Sequence, residues 1–455
     1  MRIYINLIRL HTTSLPNHAN GEGLSMADSS LSRNHEPPAG LPAVEPPSGK
    51  FIAQLFLVPL IIVSCLLGFT LLIRWWAGSA WSPEEYLQKL DDNNPDVRWR
   101  GAENLAQVLL RDDQLASDPR FALELAQRLR QSLRGSLAEE KSLADRLRQR
   151  PQAELARESS SLQPERERLL YLSACLGNVM LPVGAPVLSD MAVGQEGADA
   201  KAVFLRRSNA LWALVSLGKN LNRFRTLPQH RQDKVVAELE EEAATSSGSR
   251  NELAQMALEY FKGPHQGNLA ILGVEKALTA CAADVNPFLR EISAMALSFW
   301  QGTPAEKQQL NAVLARLAHD DGRGEDILAR FREEDGQKEI PICKKPGLTI
   351  CFNATIATAR RGCDDVRLSM LASMLDRTAL LETFRIRKKE GKEEPDEALV
   401  DKTVEGALQA ITEYHRQRPD RDLSSLYQPI EEITRGSNNA LRVEAQKTSA
   451  ALGQK

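Results

Sequence analysis

Aromatic residues are scarce in this chain, at 5%, and no long run alternates apolar with polar side chains. Both are what strands are built from, so a sheet-based fold is disfavoured. The best strand candidates, IPIC at 340–343 followed by LTICF at 348–352, are short. A basic excess is also lacking, since 57 Lys and Arg stand against 60 Asp and Glu, for a formal net charge of −3. With no domain-wide positive charge to neutralise phosphates, no nucleic-acid partner is expected. The six cysteines, Cys65, Cys175, Cys281, Cys343, Cys351 and Cys363, contain no C-x-x-C pair. That argues against a disulfide scaffold and against a ribbon-type zinc site. Cys343, Cys351 and Cys363 lie close in sequence, but no histidine sits among them, and they read as buried free thiols.

Signatures of chemistry are missing as well. There is no G-x-x-x-x-G-K-[ST] loop, no G-x-G-x-x-G, no H-E-x-x-H and no G-x-S-x-G. The histidines at 11, 18, 35, 230, 265, 319 and 415 have no recurrent Cys, Ser or Asp neighbour. DDGRGED at 320–326 concentrates carboxylates and glycines. It lacks the alternating oxygen ligands and the distal bidentate glutamate of a calcium loop, so it reads as a polar loop closing a helix pair. No catalytic residue, cofactor, metal ligand or small-molecule substrate is assigned, and the chain is not expected to be an enzyme.

What the sequence does have is one long apolar run. Residues 51–73 hold no charge in 23 positions, and 16 of them are Leu, Ile, Val or Phe. A helix of that length covers about 34 Å, enough for a bilayer core of about 30 Å. Phe51 and Ile73 bound the run, Lys50 stops it on one side, and Arg74, Trp75 and Trp76 stop it on the other. A basic residue beside tryptophans suits the headgroup region, and Pro59 is tolerated in a spanning helix. The run is too long, and begins too late, for a cleaved signal peptide. Residues 1–50 read as a disordered tail, for they are polar and rich in Pro, Ser and Gly from residue 17 onward. Arg74 and Lys89 against Lys50 alone give a small basic excess on the C-terminal flank. A single-pass membrane protein with a cytoplasmic C-terminal domain is therefore expected.

Beyond residue 81 the punctuation is helical. Ser82-Pro83, Asn94-Pro95, Asp118-Pro119, Asn286-Pro287 and Thr303-Pro304 each put a capping side chain before a proline. A register then recurs: Val97, Arg98, Ala102 and Leu105; Leu205, Arg206, Ala210 and Ala213; Leu289, Arg290, Ala294 and Leu297; and, degenerate, Thr349, Ile350, Ala354 and Ala357. Alanine at the centre of a helix face allows close approach of a neighbour. Gly218, Gly302 and Gly362 follow eight positions after the alanine and are expected to end their helices in the left-handed conformation. The spacing predicts pairs over 95–110 with 119–134, 165–178 with 185–192, 205–218 with 229–242, 288–300 with 304–318 and 348–361 with 364–376. Three further helices are expected near 397–416, 422–435 and 438–452.

The turn and V-R-x-x-G-A-x-x-L of DDNNPDVRWRGAENLA (91–106), and L-R-x-x-S-A-x-x-L of NPFLREISAMAL (286–297), resemble HEAT repeats. VFLRRSNALWALVSLG (203–218) and residues 352–376 are looser matches. With its single N-terminal span, the layout resembles the membrane-anchored HEAT-repeat proteins of planctomycete bacteria. The fold class expected is all-α: an α-solenoid of HEAT-like helix pairs preceded by one transmembrane helix. Its parts are a first pair at 82–134, a charged insertion at 135–164, repeats over 165–380, a charged loop at 381–396 and C-terminal helices over 397–455. The function expected is a scaffold for unidentified protein partners, held on the lipid bilayer through residues 51–73. The alternative is a HEAT-like enzyme of lyase or nucleic-acid-repair type with its site on a concave face, for which Trp99, Trp212 and Trp300 are the residues to inspect. Recurring Arg98, Arg206 and Arg290 are read as structural bridges in preference to a groove for an acidic ligand.

Overall fold

Short polar side chains placed before proline start the main helices. Asn94 accepts a hydrogen bond from the Asp96 amide and Asn286 from the Phe288 amide, both with an extended backbone at φ −82°. Asp118 accepts from the amides of Arg120 and Phe121, and Thr303 with Glu306 completes a capping box. These caps are seen in a computed structural model that describes residues 57, 60–70, 83–92, 94–147, 162–194, 199–263, 266–324, 339–388 and 391–453. The chain divides into two units, Met1–Ser82 and Pro83–Lys455.

In the first unit, residues 60–70 are helical and exposed throughout. The expected tail 1–50 lies outside the described residues, as do Lys50, Phe51, Pro59, Ile73, Arg74, Trp75 and Trp76. Among the described residues no helix is long and apolar enough to cross a membrane.

The second unit opens with α1 (Pro83–Leu90), α2 (Pro95–Arg111), the one-turn α3 (Asp113–Ala116) and α4 (Pro119–Leu147). Next come α5 (Gln163–Gly177), α6 (Ala185–Val193), α7 (Ala200–Phe224), α8 (Gln229–Thr245) and α9 (Gly248–Lys262). Then follow α10 (Val274–Cys281), α11 (Pro287–Leu297) and α12 (Pro304–Leu317). The last part holds β1 (Glu339–Cys343), α13 (Leu348–Arg360), α14 (Leu368–Leu375), α15 (Arg377–Thr383), β2 (Phe384–Lys388) and β3 (Glu393–Pro395). It closes with α16 (Glu397–Gln417), α17 (Tyr427–Arg435) and α18 (Asn439–Ala451).

One row organises this unit. Helices α2, α5, α7, α11, α13, α16 and α18 pack each on the next in chain order, an all-α arrangement consistent with an α-solenoid. The alanine register lies along it: Ala102 is buried, and Ala210, Ala294 and Ala354 are wholly so. Leu105, Leu289 and Leu297 are buried beside them, while Val97 and Leu205 are half-buried. Small residues set the spacing. A Cβ on Gly177 of α5 would stand 2.9 Å from the Ala213 Cα of α7, so the two backbones nearly touch.

The partnering of helices differs from the sequence expectation by one helix. Several helices outside the row lay their main contact on the row helix that follows them, giving α1 with α2, α4 with α5, α6 with α7, α12 with α13 and α17 with α18, while α10 packs chiefly on α6 and also on α11. Periodicity marks a helix and its apolar face, but an apolar face does not say which of two flanking helices will cover it. The expected partner of α7, the helix over 229–242, packs against α9 and α4 instead. Helices α9 and α10 are additional to the expected pairs. The charged stretch from residue 135 continues α4 as far as Leu147, and 148–161 lies outside the described residues.

Two other readings need correction. IPIC does form a strand, and the expected charged loop at 381–396 contributes two more, giving a three-stranded antiparallel sheet in the order β1-β2-β3. Pro341 and Pro395 lie in its two edge strands, where the missing amide discourages pairing with another chain. Gly362 follows the end of α13 in the expected left-handed conformation, at φ +63°; Gly302 is left-handed too, at +69°, but stands five residues past the end of α11 beside the Thr303 cap, and Gly218 is not left-handed. It lies inside α7, which runs on to Phe224. The Trp300 indole occupies the notch, with Nε1 donating to the Leu214 carbonyl at 3.0 Å, and Trp300 is buried.

This notch generates a test. A Cβ at Gly218 would stand 2.7 Å from Trp300 Nε1 and 3.0 Å from Phe299 Cβ. Alanine is worth about 1 kcal/mol over glycine in a helix interior, and overpacking a tight site costs about 1–3 kcal/mol. Gly218→Ala is therefore expected to lower the melting temperature. Gly135→Ala, in α4 with nothing within 4 Å of the added atom, is expected to raise it. Thermal denaturation followed by circular dichroism reads both, and a stabilised Gly218→Ala would contradict the notch.

Candidate functional surface on the helix row

The three recurring arginines are drawn into the fold. Two of them share one construction. Asp92 Oδ1 accepts from the Asn94 amide at 2.7 Å and Asp284 Oδ1 from the Asn286 amide at 2.8 Å. Arg98 Nη1 then reaches back to the Asp92 carbonyl at 3.2 Å, and Arg290 Nη1 to the Asp284 carbonyl at 2.8 Å. Asp-x-Asn-Pro-x-x-Arg is thus one turn used twice: carboxylate on amide, asparagine as cap, proline as first helical residue, arginine closing the loop from inside the helix. The turn joins α1 to α2 and α10 to α11, within the packed pairs.

Arg290 goes further. Its Nε and Nη2 bind both oxygens of Asp320 at 2.7 and 2.9 Å, and Nη2 also reaches the Arg323 carbonyl at 2.9 Å. The acidic loop from 320 is thereby tied to α11, and Gly322 caps Asp320 with its amide at 2.8 Å. Residues 325 and 326 of that loop lie outside the described set. Arg206 bonds Glu140 at 3.1 Å, and Arg166 bonds the other oxygen of Glu140 at 3.2 Å, all three being buried or nearly so. A buried carboxylate held by two guanidinia fixes α4, α5 and α7 together, and removing one partner of such a group typically costs about 3–5 kcal/mol.

Sequence reasoning missed the most deeply buried cation among the described residues. Arg361, just past α13, is fully buried, and its hydrogen bonds among the described residues go to backbone carbonyls and one amide oxygen. Its donors reach the carbonyls of Leu297 at 3.3 Å, Gln301 at 3.2 Å and Trp300, and Nε reaches Asn311 Oδ1 at 2.8 Å. Burial pulls its pKa down to about 10, so it remains charged at neutral pH, where the negative end of the α11 dipole favours it. Nothing in the local sequence distinguishes Arg361 from Arg360 beside it. Arg360 is half-buried, lies 5.3 Å from the Phe299 ring centroid, and has its pKa lowered by burial against the pull of Glu413.

Other sequence candidates offer little free chemistry. Burial raises the Cys175 thiol to about 12 and the Cys281 thiol to about 11, the second against the pull of Arg207. Such thiols are protonated at neutral pH and poor nucleophiles. Cys351 and Cys363 are buried, Cys343 is half-buried and Cys65 exposed. Among the described residues no group of three His, Cys, Asp or Glu side chains is placed to hold a metal ion. Trp300 is buried, whereas Trp99 and Trp212 are half-buried.

What the row does present is a band of half-exposed side chains, about one per helical turn. Leu205, Trp212 and Ser216 stand on α7; Phe288, Glu291, Met295 and Phe299 on α11 and its extension; Thr349, Asn353 and Arg360 on α13. Cross-helix bonds link the last two groups, with Thr349 donating to Glu291 at 2.8 Å and Asn353 at 3.5 Å. No protein-family model matches the chain, and no curated protein matches it.

The Arg290–Asp320 pair predicts a pH dependence. Burial alone would raise the Asp320 carboxyl, but hydrogen bonds from Arg290 and the Gly322 amide, with the charges of Arg290 and Arg316, hold it below its ordinary value. A depressed carboxylate pKa contributes stability above the unfolded value of about 3.9, lost as pH falls through the folded one. Asp320→Asn is therefore expected to melt below the parent at pH 7, the gap closing below about pH 4. A gap that stayed constant across that range would mean the ion pair contributes nothing.

Proposed function

We propose that this chain is a membrane-anchored helical-repeat scaffold that docks protein partners and performs no catalysis of its own. Residues 51–73 would form a single span, and the helix pairs of residues 83–451 the docking array. The observation that carries the anchor is the helix at 60–70. Leu60, Ile61, Ile62, Val63, Leu66, Leu67 and Phe69 are each between 51% and 65% exposed. They point in every direction around the helix, and a helix apolar on all sides suits hydrocarbon and not water. The uncharged 23-residue run around it supports the same reading. The HEAT-like reading is supported by the duplicated Asp-x-Asn-Pro-x-x-Arg turn and the row of packed helices. The scaffold reading is favoured over a lyase or repair enzyme because Arg98, Arg206 and Arg290 are engaged within the fold.

Fractionation tests the anchor. The full-length chain is expected to stay with membranes through alkaline carbonate and to leave them only in detergent. A chain lacking residues 1–76 should be soluble and strongly helical by circular dichroism. Full-length chain in the carbonate supernatant would overturn the anchor.

Docking is tested on the detergent extract. Affinity purification with mass spectrometry should return one or more proteins in stoichiometric amount, and these should also bind the chain lacking residues 1–76. Recovery of the folded chain alone would sink the scaffold reading.

For orientation, the basic excess at Arg74 and Lys89 favours a cytoplasmic C-terminal unit. Lys392→Cys puts a thiol on the exposed β2–β3 hairpin. In intact cells an impermeant maleimide should label it no more than the parent chain, and permeabilisation should raise the labelling severalfold. Strong labelling without permeabilisation would reverse the orientation.

A further inference from the structure

We draw no further inference here: the strongest candidate, the half-exposed apolar strip that Phe288, Met295 and Phe299 form on α11 and its extension, is a surface patch, and nothing in the structure shows what covers it.

Discussion

The C-terminal end of α11 is closed by donors from two other helices, and the continuity of the row depends on it. A helix leaves its last four carbonyls without intrahelical partners, and a buried end left unpaired costs about 1–3 kcal/mol per group. Here Arg361 from beyond α13 takes the carbonyl of Leu297, the last residue of α11, and those of Trp300 and Gln301 in the segment that follows, where Asn222 of α7 also takes that of Phe299 at 3.2 Å. From the same end the Trp300 indole reaches into α7 at the Gly218 notch. The helix before α11 in the row and the helix after it are thus registered on one set of backbone atoms. A buried guanidinium is ordinarily a liability. It is tolerable here because carbonyl oxygens and the Asn311 amide oxygen accept its protons.

The same device recurs with weaker donors. Asn220 of α7 gives its amide to the Gly177 carbonyl at the end of α5 at 3.0 Å, and Gln417 at the end of α16 donates to the Arg360 carbonyl at 2.7 Å. Arg223 reaches the Leu110 carbonyl at 3.1 Å. Apolar packing along the row is non-directional and would permit sliding. Donors aimed at helix ends remove that freedom, because a slip of one turn would leave both partners unsatisfied. On this view the duplicated turn organises the start of a row helix, and cross-helix donors organise its end.

The C-terminal part shows how one helix can serve two cores. Phe352, Ile356 and Ala359 belong to a cluster that extends through Val404, Leu408 and Ile411 to Leu441 and Ala445. Ala354 and Ala357 are buried as well, and α13 also packs against α11 and α12. Helix α13 therefore shares its packing between the repeats and the C-terminal helices, and the sheet formed by β1, β2 and β3 is tied in through Phe384, which is fully buried.

Local chemistry was legible in the sequence because its causes are local. An asparagine before a proline caps the next helix whatever surrounds it, which is why Asn94, Asn286 and Thr303 start helices where expected. The alanine register was readable because a small residue at the same point of each face reports close approach, whichever helix approaches. Which helix that is, only the tertiary structure decided, and it shifted the pairing by one. Gly218 and Gly362 look alike in register, yet one receives an indole inside a helix and the other follows the end of one, since the indole that fills the Gly218 notch comes from Trp300, many residues away. Arg361 was invisible for the same reason. Its partners are backbone carbonyls, which every residue carries, so no side-chain pattern could announce them, and only folding brings the guanidinium to the helix end.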